Sequence, residues 1–213
     1  MPPPLSSWQA AAFKNLRPGS TPSSQPWKRF TTTKPTSVES WVNFVAGFSV
    51  LKNDVWSLFG PLNPQTATGL FKALVKAKPA EHQCLLLDSE GGEVELTLGL
   101  IHELRKKLPN LEVRVVGTAA SAAVHLLQAG GDGLRTAVPS ARFYTHPVRL
   151  VEDLSPGTGY RVARALKDIN EHWTLLLEER TGFTATWWRD FLKEEQWFGV
   201  KKALELRLID EVV

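Results

Sequence analysis

Apolar residues along the chain switch between two periods, and that switching predicts the order of elements. Asp54 to Phe59 reads as a short strand closed by Gly60-Pro61, and Asn63 or Pro64 opens a helix. Leu70, Leu74 and Val75 recur in that helix at helical spacing, and Pro79 bounds it. Gln83 to Asp88 is a continuous apolar run of strand length, as expected of a strand buried on both faces of a parallel sheet. After the turn Ser89-Glu90-Gly91-Gly92, a second amphipathic helix is predicted from Val94 to Lys107, with Leu96, Leu100, Ile101 and Leu104 on one face.

The alternation continues with a strand from Leu111 to Val116, followed by the small residues Gly117 to Ala123. These lead into a helix that runs to Ala129 and stops at Gly130-Gly131-Asp132-Gly133. Two short strands follow, Leu134 to Val138 and Ala141 to Tyr144, with a turn at Pro139-Ser140. After a loop-like stretch, a long helix is predicted from Tyr160 to Arg180. Shorter helices are expected at Thr184 to Phe191 and Val200 to Leu206, with a terminal strand at Ile209 to Val213. Strands alternating with helices predict an α/β fold, a spiral of repeated β/α units from which the long helix projects.

Composition divides the 213 residues into two parts. Residues 1–38 hold seven prolines, the basic Lys14, Arg17, Lys28, Arg29 and Lys34, and no acid, so a flexible basic tail is expected. The domain expected at residues 39–213 carries 20 basic and 22 acidic side chains, which is not the balance of a nucleic-acid binder. No stretch approaches the ~20 apolar residues of a membrane span. With no apolar secretory core near the N-terminus, a cytoplasmic protein is expected, and the Ser-rich basic tail leaves organelle import as the alternative. The single cysteine, Cys84, lies in an apolar run with no partner at ligand spacing, so neither a disulfide framework nor a metal site is expected.

Three segments end predicted strands, where ligands of parallel sheets gather. Ser121, at a strand-to-helix junction, is a candidate nucleophile, and backbone N–H groups beside it suit an oxyanion; taken alone it also reads as a helix cap. In Ser89-Glu90-Gly91-Gly92, two glycines let the backbone approach a ligand, so the Gly92 and Ala122 N–H groups are candidate oxyanion donors. In Tyr144-Thr145-His146-Pro147, His146 stands at a strand end as a candidate base, because a serine hydroxyl needs one. His125, four residues after Ser121, could share its helix face, but it precedes Leu126-Leu127 and reads as structural or interfacial.

Together these segments resemble the proteolytic subunit of the Clp proteases. The resemblance rests on Asp88-Ser89-Glu90-Gly91-Gly92, Gly117-Thr118-Ala119-Ala120-Ser121-Ala122-Ala123, Leu126 to Gly130, Arg135 to Arg142, His146-Pro147, Ala203-Leu204-Glu205 and Leu208 to Val212. It implies a Ser121-His146 serine endopeptidase acting on peptides or unfolded proteins. It also implies a homo-oligomeric ring, an AAA+ unfoldase partner and no cofactor. Laid over the chain without gaps, the family pattern puts its catalytic aspartate at Glu195, 49 residues after His146, with Asp190 as a rival orienter. Glutamate is longer by one methylene, about 1.5 Å, which the backbone or rotamer must absorb. Glu90 replaces the family's proline before the glycines, and Arg207 its glycine in the closing motif. Three other readings stay open at this point: a non-catalytic ring subunit, a crotonase-like acyl-CoA enzyme, and a phage-type or signal-peptide-peptidase-like processing protease.

Overall fold

The computed structural model describes residues 47–52, 54–78, 82–149 and 156–213; the expected basic tail lies outside them. Among the described residues, eight strands form one mixed sheet. Five elements run β1 (Gly47–Lys52), β2 (Val55–Phe59), α1 (Pro64–Lys76), β3 (Cys84–Ser89) and α2 (Val94–Lys107). They are followed by β4 (Glu112–Ala120), α3 (Ala122–Leu126) with a 3-10 turn at Leu127–Ala129, β5 (Arg135–Ala137) and β6 (Arg142–Thr145). The chain ends with α4 (Pro156–Thr181), α5 (Ala185–Lys193), β7 (Gln196–Gly199), α6 (Val200–Glu205) and β8 (Glu211–Val212). The main path of the sheet is β1-β2-β3-β4-β5-β8, with β6 on β4 and β7 on β6. The pairs β1–β2 and β6–β7 are antiparallel, and the other pairs are parallel.

The apolar runs end where a parallel sheet needs them. Leu58, Leu85, Leu87, Val113, Val115 and Phe143 are fully buried. Helices α1 and α2 add Ala67, Leu70, Leu74, Leu100, Ile101 and Leu104, each helix contributing one face at spacings of three and four. Asn63 starts α1 by accepting from the Gln65 and Thr66 N–H groups, both at 3.0 Å, while Thr66 Oγ1 accepts from the Asn63 N–H. This reciprocal cap also holds Leu62, immediately before it, which bridges to Gly92.

Strand β4 is the pivot of the fold. Its first half pairs with β5, through Val113 to Val115, and its second half with β6, through Thr118 to Ala120. Between the halves β4 bulges: β3 advances from Leu87 to Ser89 while β4 runs from Val115 to Ala119. The Asp88 carboxylate occupies the bulge, accepting from the Thr118 N–H at 2.7 Å. A Cβ on Gly117 would sit 2.5 Å from that carboxylate, so a larger residue there would have to displace the Asp88 side chain.

The structure differs from the sequence expectations in four elements. The small-residue run after Val116 is strand as far as Ala120, because pairing with Phe143 and Tyr144 compensates its weak β propensity. Strand β7 lies between two predicted helices, where the sequence pattern predicts no element; it forms because β6 offers it an antiparallel partner. Strand β1 precedes the first strand expected and exists as a hairpin arm of β2. Helix α4 begins at Pro156 rather than Tyr160, a proline being well suited to a first helical turn. None of residues 162–172 of α4 is buried, whereas Trp173, Thr174, Leu177 and Thr181 are.

Candidate active site

Ser121 stands between β4 and α3 with φ 55° and ψ −122°, a region that residues with a Cβ rarely occupy. Its neighbours hold it there. The Ser121 N–H donates to the Tyr144 carbonyl at 2.8 Å, and the Ser121 carbonyl accepts from the Val124 N–H at 3.1 Å. Strain of this kind, about 1–3 kcal/mol, persists only where the surroundings over-determine it, and it is a common way to present a nucleophile at a strand-to-helix turn.

The Gly91-Gly92 turn is packed directly against Ser121. Gly91 has φ 96°, and a Cβ there would lie 2.6 Å from the Ala120 carbonyl oxygen, 2.8 Å from Ser121 Cβ and 2.9 Å from the Ala122 nitrogen. Gly92 is held on its other side, where the Leu62 N–H donates to the Gly91 carbonyl and the Glu93 N–H to the Leu62 carbonyl, both near 2.9 Å. In this parallel bridge the N–H of Gly92 itself points away from Leu62. Ala122, the first residue of α3, has an N–H without an acceptor inside its helix. Among the described residues, these two backbone donors beside Ser121 have no acceptor.

A Gly91→Ala substitution forces a methyl into that contact at a positive φ. We expect thermal stability to fall by about 1–3 kcal/mol and labelling of Ser121 by a fluorophosphonate to slow about a hundredfold. Gly99→Ala is the control, because nothing lies within 4 Å of its added Cβ. Circular dichroism melts and intact-mass labelling check both; equal labelling rates in the two variants would show that the close packing does not position Ser121.

His146 follows β6. Its Nδ1 lies 2.7 Å from the Pro147 carbonyl oxygen. A carbonyl only accepts, so this bond places the proton on Nδ1 and leaves Nε2 as the basic nitrogen. Helix α4 fixes the segment beyond it, with the Val148 N–H donating to Asn170 Oδ1 at 2.9 Å. Ser121, His146, Gly92, Val94, His125, Val148, Arg149 and Trp173 line one cavity of ≈ 410 Å³. Residues from four separate stretches of chain converge there.

Glu195 precedes β7 and has φ 46°. Strands β6 and β7 end their ladder at Thr145 and Gln196, so His146 and Glu195 each lie one residue beyond its last pair. The Glu195 carboxylate is engaged by the Arg149 guanidinium. Asp190 sits on the exposed side of α5, where Lys193 holds its carboxyl below the usual range through a 2.8 Å ion pair.

His125, read from the sequence as structural or interfacial, is packed inside the protein, 2% exposed, and also forms part of the cavity wall. Its Nδ1 is 3.3 Å from the Ser121 carbonyl oxygen, and its ring stacks on Trp173 with centroids 3.6 Å apart. Burial first, then the charge of His146, pushes its pKa down to about 3, against the raising effect of the Ser121 carbonyl. The sequence reading of the site missed Trp173 and Arg149; only the spacing of His125 from Ser121 hinted at this wall.

The fold and this convergence agree with an independent comparison, in which residues 40–213 match the Clp protease family. The chain belongs to the Clp protease family. That membership supports a peptidase of the Clp type and covers every element from β1 to β8. It also gives a structural reading of several residues of the Clp motif. Arg135 donates to both oxygens of Asp210, at 2.5 and 3.0 Å, and to Gln128 Oε1 at 2.8 Å. Gln128 in turn donates to the Leu208 carbonyl at 3.3 Å. In this Clp protease chain those motif residues join the helix after Ser121 to the C-terminal strand.

Proposed function

We propose that the protein is a serine endopeptidase in which Ser121 is the nucleophile, His146 its general base and Glu195 the acid whose charge offsets that of the imidazolium, while the Pro147 carbonyl holds the His146 Nδ1–H. The observation that carries this reading is the single cavity shared by Ser121, His146 and Gly92. His146 Nε2 takes the Ser121 proton as the oxygen attacks a peptide carbonyl, and the Gly92 and Ala122 N–H groups hold the resulting oxyanion. The protonated imidazole then gives its proton to the leaving amine. Water, deprotonated by His146, releases the acyl group from Ser121. No step calls for a metal or organic cofactor.

We further propose the assembly usual for this family: a homo-oligomeric ring that receives unfolded chains from an AAA+ unfoldase in the cytoplasm. The fold would then be the spiral of β/α units. Residues 162–172 of α4, none of them buried, fit a projecting helix that meets another subunit.

One observation favours a second reading, a non-catalytic ring subunit: Glu195 is paired with Arg149 rather than with His146. The two readings separate on variants of that pair. Under the peptidase reading, Glu195→Gln slows fluorophosphonate labelling about 10- to 100-fold, because the imidazolium loses its counter-charge. Arg149→Ala raises it several-fold by releasing the carboxylate, and Asp190→Ala leaves it unchanged. Wild-type protein that resists labelling while folded and assembled would establish the non-catalytic reading instead.

A further inference from the structure

Arg149 lines the same cavity as Ser121 and His146, and the proposed chemistry gives it no part beyond its grip on Glu195. The chain just before it is clamped to α4: the Val148 N–H donates to Asn170 Oδ1 at 2.9 Å, and Asn170 Nδ2 donates back to the Val148 carbonyl at 3.4 Å. Beyond that clamp the Arg149 side chain is 57% exposed, and the Glu195 side chain that it engages is 31% exposed. Apart from Arg149, no residue lining the cavity is an aspartate, glutamate, lysine or arginine. The described wall beside Ser121 therefore presents one fixed charge, a cation within reach of solvent. A guanidinium carries five N–H donors on a planar fork, and a carboxylate fills only one edge of it with two parallel bonds. The ion pair with Glu195 thus leaves Arg149 donors for a second anion.

We propose that Arg149 selects substrates that place an acidic side chain in this cavity, and that the substrate carboxylate draws the guanidinium off Glu195. This rests on the peptidase reading and deepens it. A carboxylate meets the fork through charge-assisted hydrogen bonds, about twice as strong as neutral ones. A glutamine of the same size offers only a neutral acceptor, and a lysine or arginine sets like charges together. An apolar side chain displaces water from the guanidinium and returns no hydrogen bond. Sharing the cation has a second effect. With two anions on one guanidinium, each is held less firmly, and the Glu195 carboxylate becomes free to offset the imidazolium that forms when His146 takes the Ser121 proton. The substrate that pairs with Arg149 thereby loosens the contact that holds Glu195, so recognition and turnover rise together. Both side chains are partly exposed, so salt should weaken the preference: at about 1 M the screening length is only about 3 Å.

The test uses the full chain and a set of otherwise neutral fluorogenic peptides. In these, glutamate or its isostere glutamine is moved one position at a time along both sides of the scissile bond, and products are identified by mass. The expected result is one position at which glutamate raises kcat/KM about tenfold over glutamine, part of it in kcat, and at which lysine lowers it. Salt at about 1 M should erase most of that difference. Arg149→Gln should abolish the preference while cleaving the glutamine peptides several-fold faster than wild type, a crossover that a folding defect cannot produce. Arg189→Gln removes the same charge from an exposed position outside the cavity and should keep the preference. Equal rates for glutamate and glutamine at every position, or a glutamate preference that survives Arg149→Gln, would overturn the selectivity and leave the peptidase intact. A preference carried by KM alone would rule out the release of Glu195. Failure of every peptide and of fluorophosphonate labelling would bring down the peptidase reading and this inference with it.

Discussion

Ser121→Ala is expected to abolish fluorophosphonate labelling and to lower peptide hydrolysis by at least about 10³-fold while leaving the protein folded. The fold should survive because the substitution removes only the hydroxyl. The Ser121 N–H and carbonyl, which hold this turn to Tyr144 and Val124, are backbone groups that alanine retains. The strained φ of 55° is also one that alanine meets on the same terms as serine, both having a Cβ. What is lost is the attacking oxygen, and the remaining free N–H groups supply only oxyanion stabilisation and binding. His146→Ala should cost nearly as much, and the double variant little more, because nucleophile and base act as one unit. The measurement is intact-mass labelling beside initial rates on a fluorogenic peptide. Labelling that persists at full stoichiometry in Ser121→Ala would place the reactive group elsewhere.

The largest effect on stability is expected at Arg135, which is not among the residues lining the cavity. Arg135→Met should destabilise the protein by about 3–5 kcal/mol in urea unfolding, because it leaves the Asp210 carboxylate without its counter-charge. The side chains of Arg135 and Asp210 are 7% and 11% exposed, so solvent cannot replace the lost partner. The same change removes the donor to Gln128 and the bond to the Arg180 carbonyl. Arg135→Lys keeps the charge but not the planar two-pronged geometry, and should recover only part of the loss. A loss below about 1 kcal/mol in Arg135→Met would mean that β5 and β8 are held by their backbone ladder alone. Since this network reaches α3 through Gln128, a weakened form of it should also slow the labelling of Ser121.

Much of this protein was legible in the chain alone. The periods of Leu70, Leu74, Leu100, Ile101 and Leu104 placed α1 and α2, and the apolar runs placed β3 and the first half of β4, because burial imposes a strict pattern on side chains. The order of Gly92, Ser121 and His146 marked one candidate site, since each ends a strand at the same edge of a parallel sheet. Other features depend on contacts distant in sequence, which leave no local pattern. Strand β7 exists because β6 lies beside it, and β4 stays extended through Gly117 because Asp88 fills its bulge. The partner of Glu195 is likewise decided in space, where the guanidinium of Arg149 takes its carboxylate. His125 shows the division most plainly. Its spacing from Ser121 is written in the sequence, but its burial, its stacking on Trp173 and its unpaired nitrogen follow only from a helix 48 residues further along folding over it.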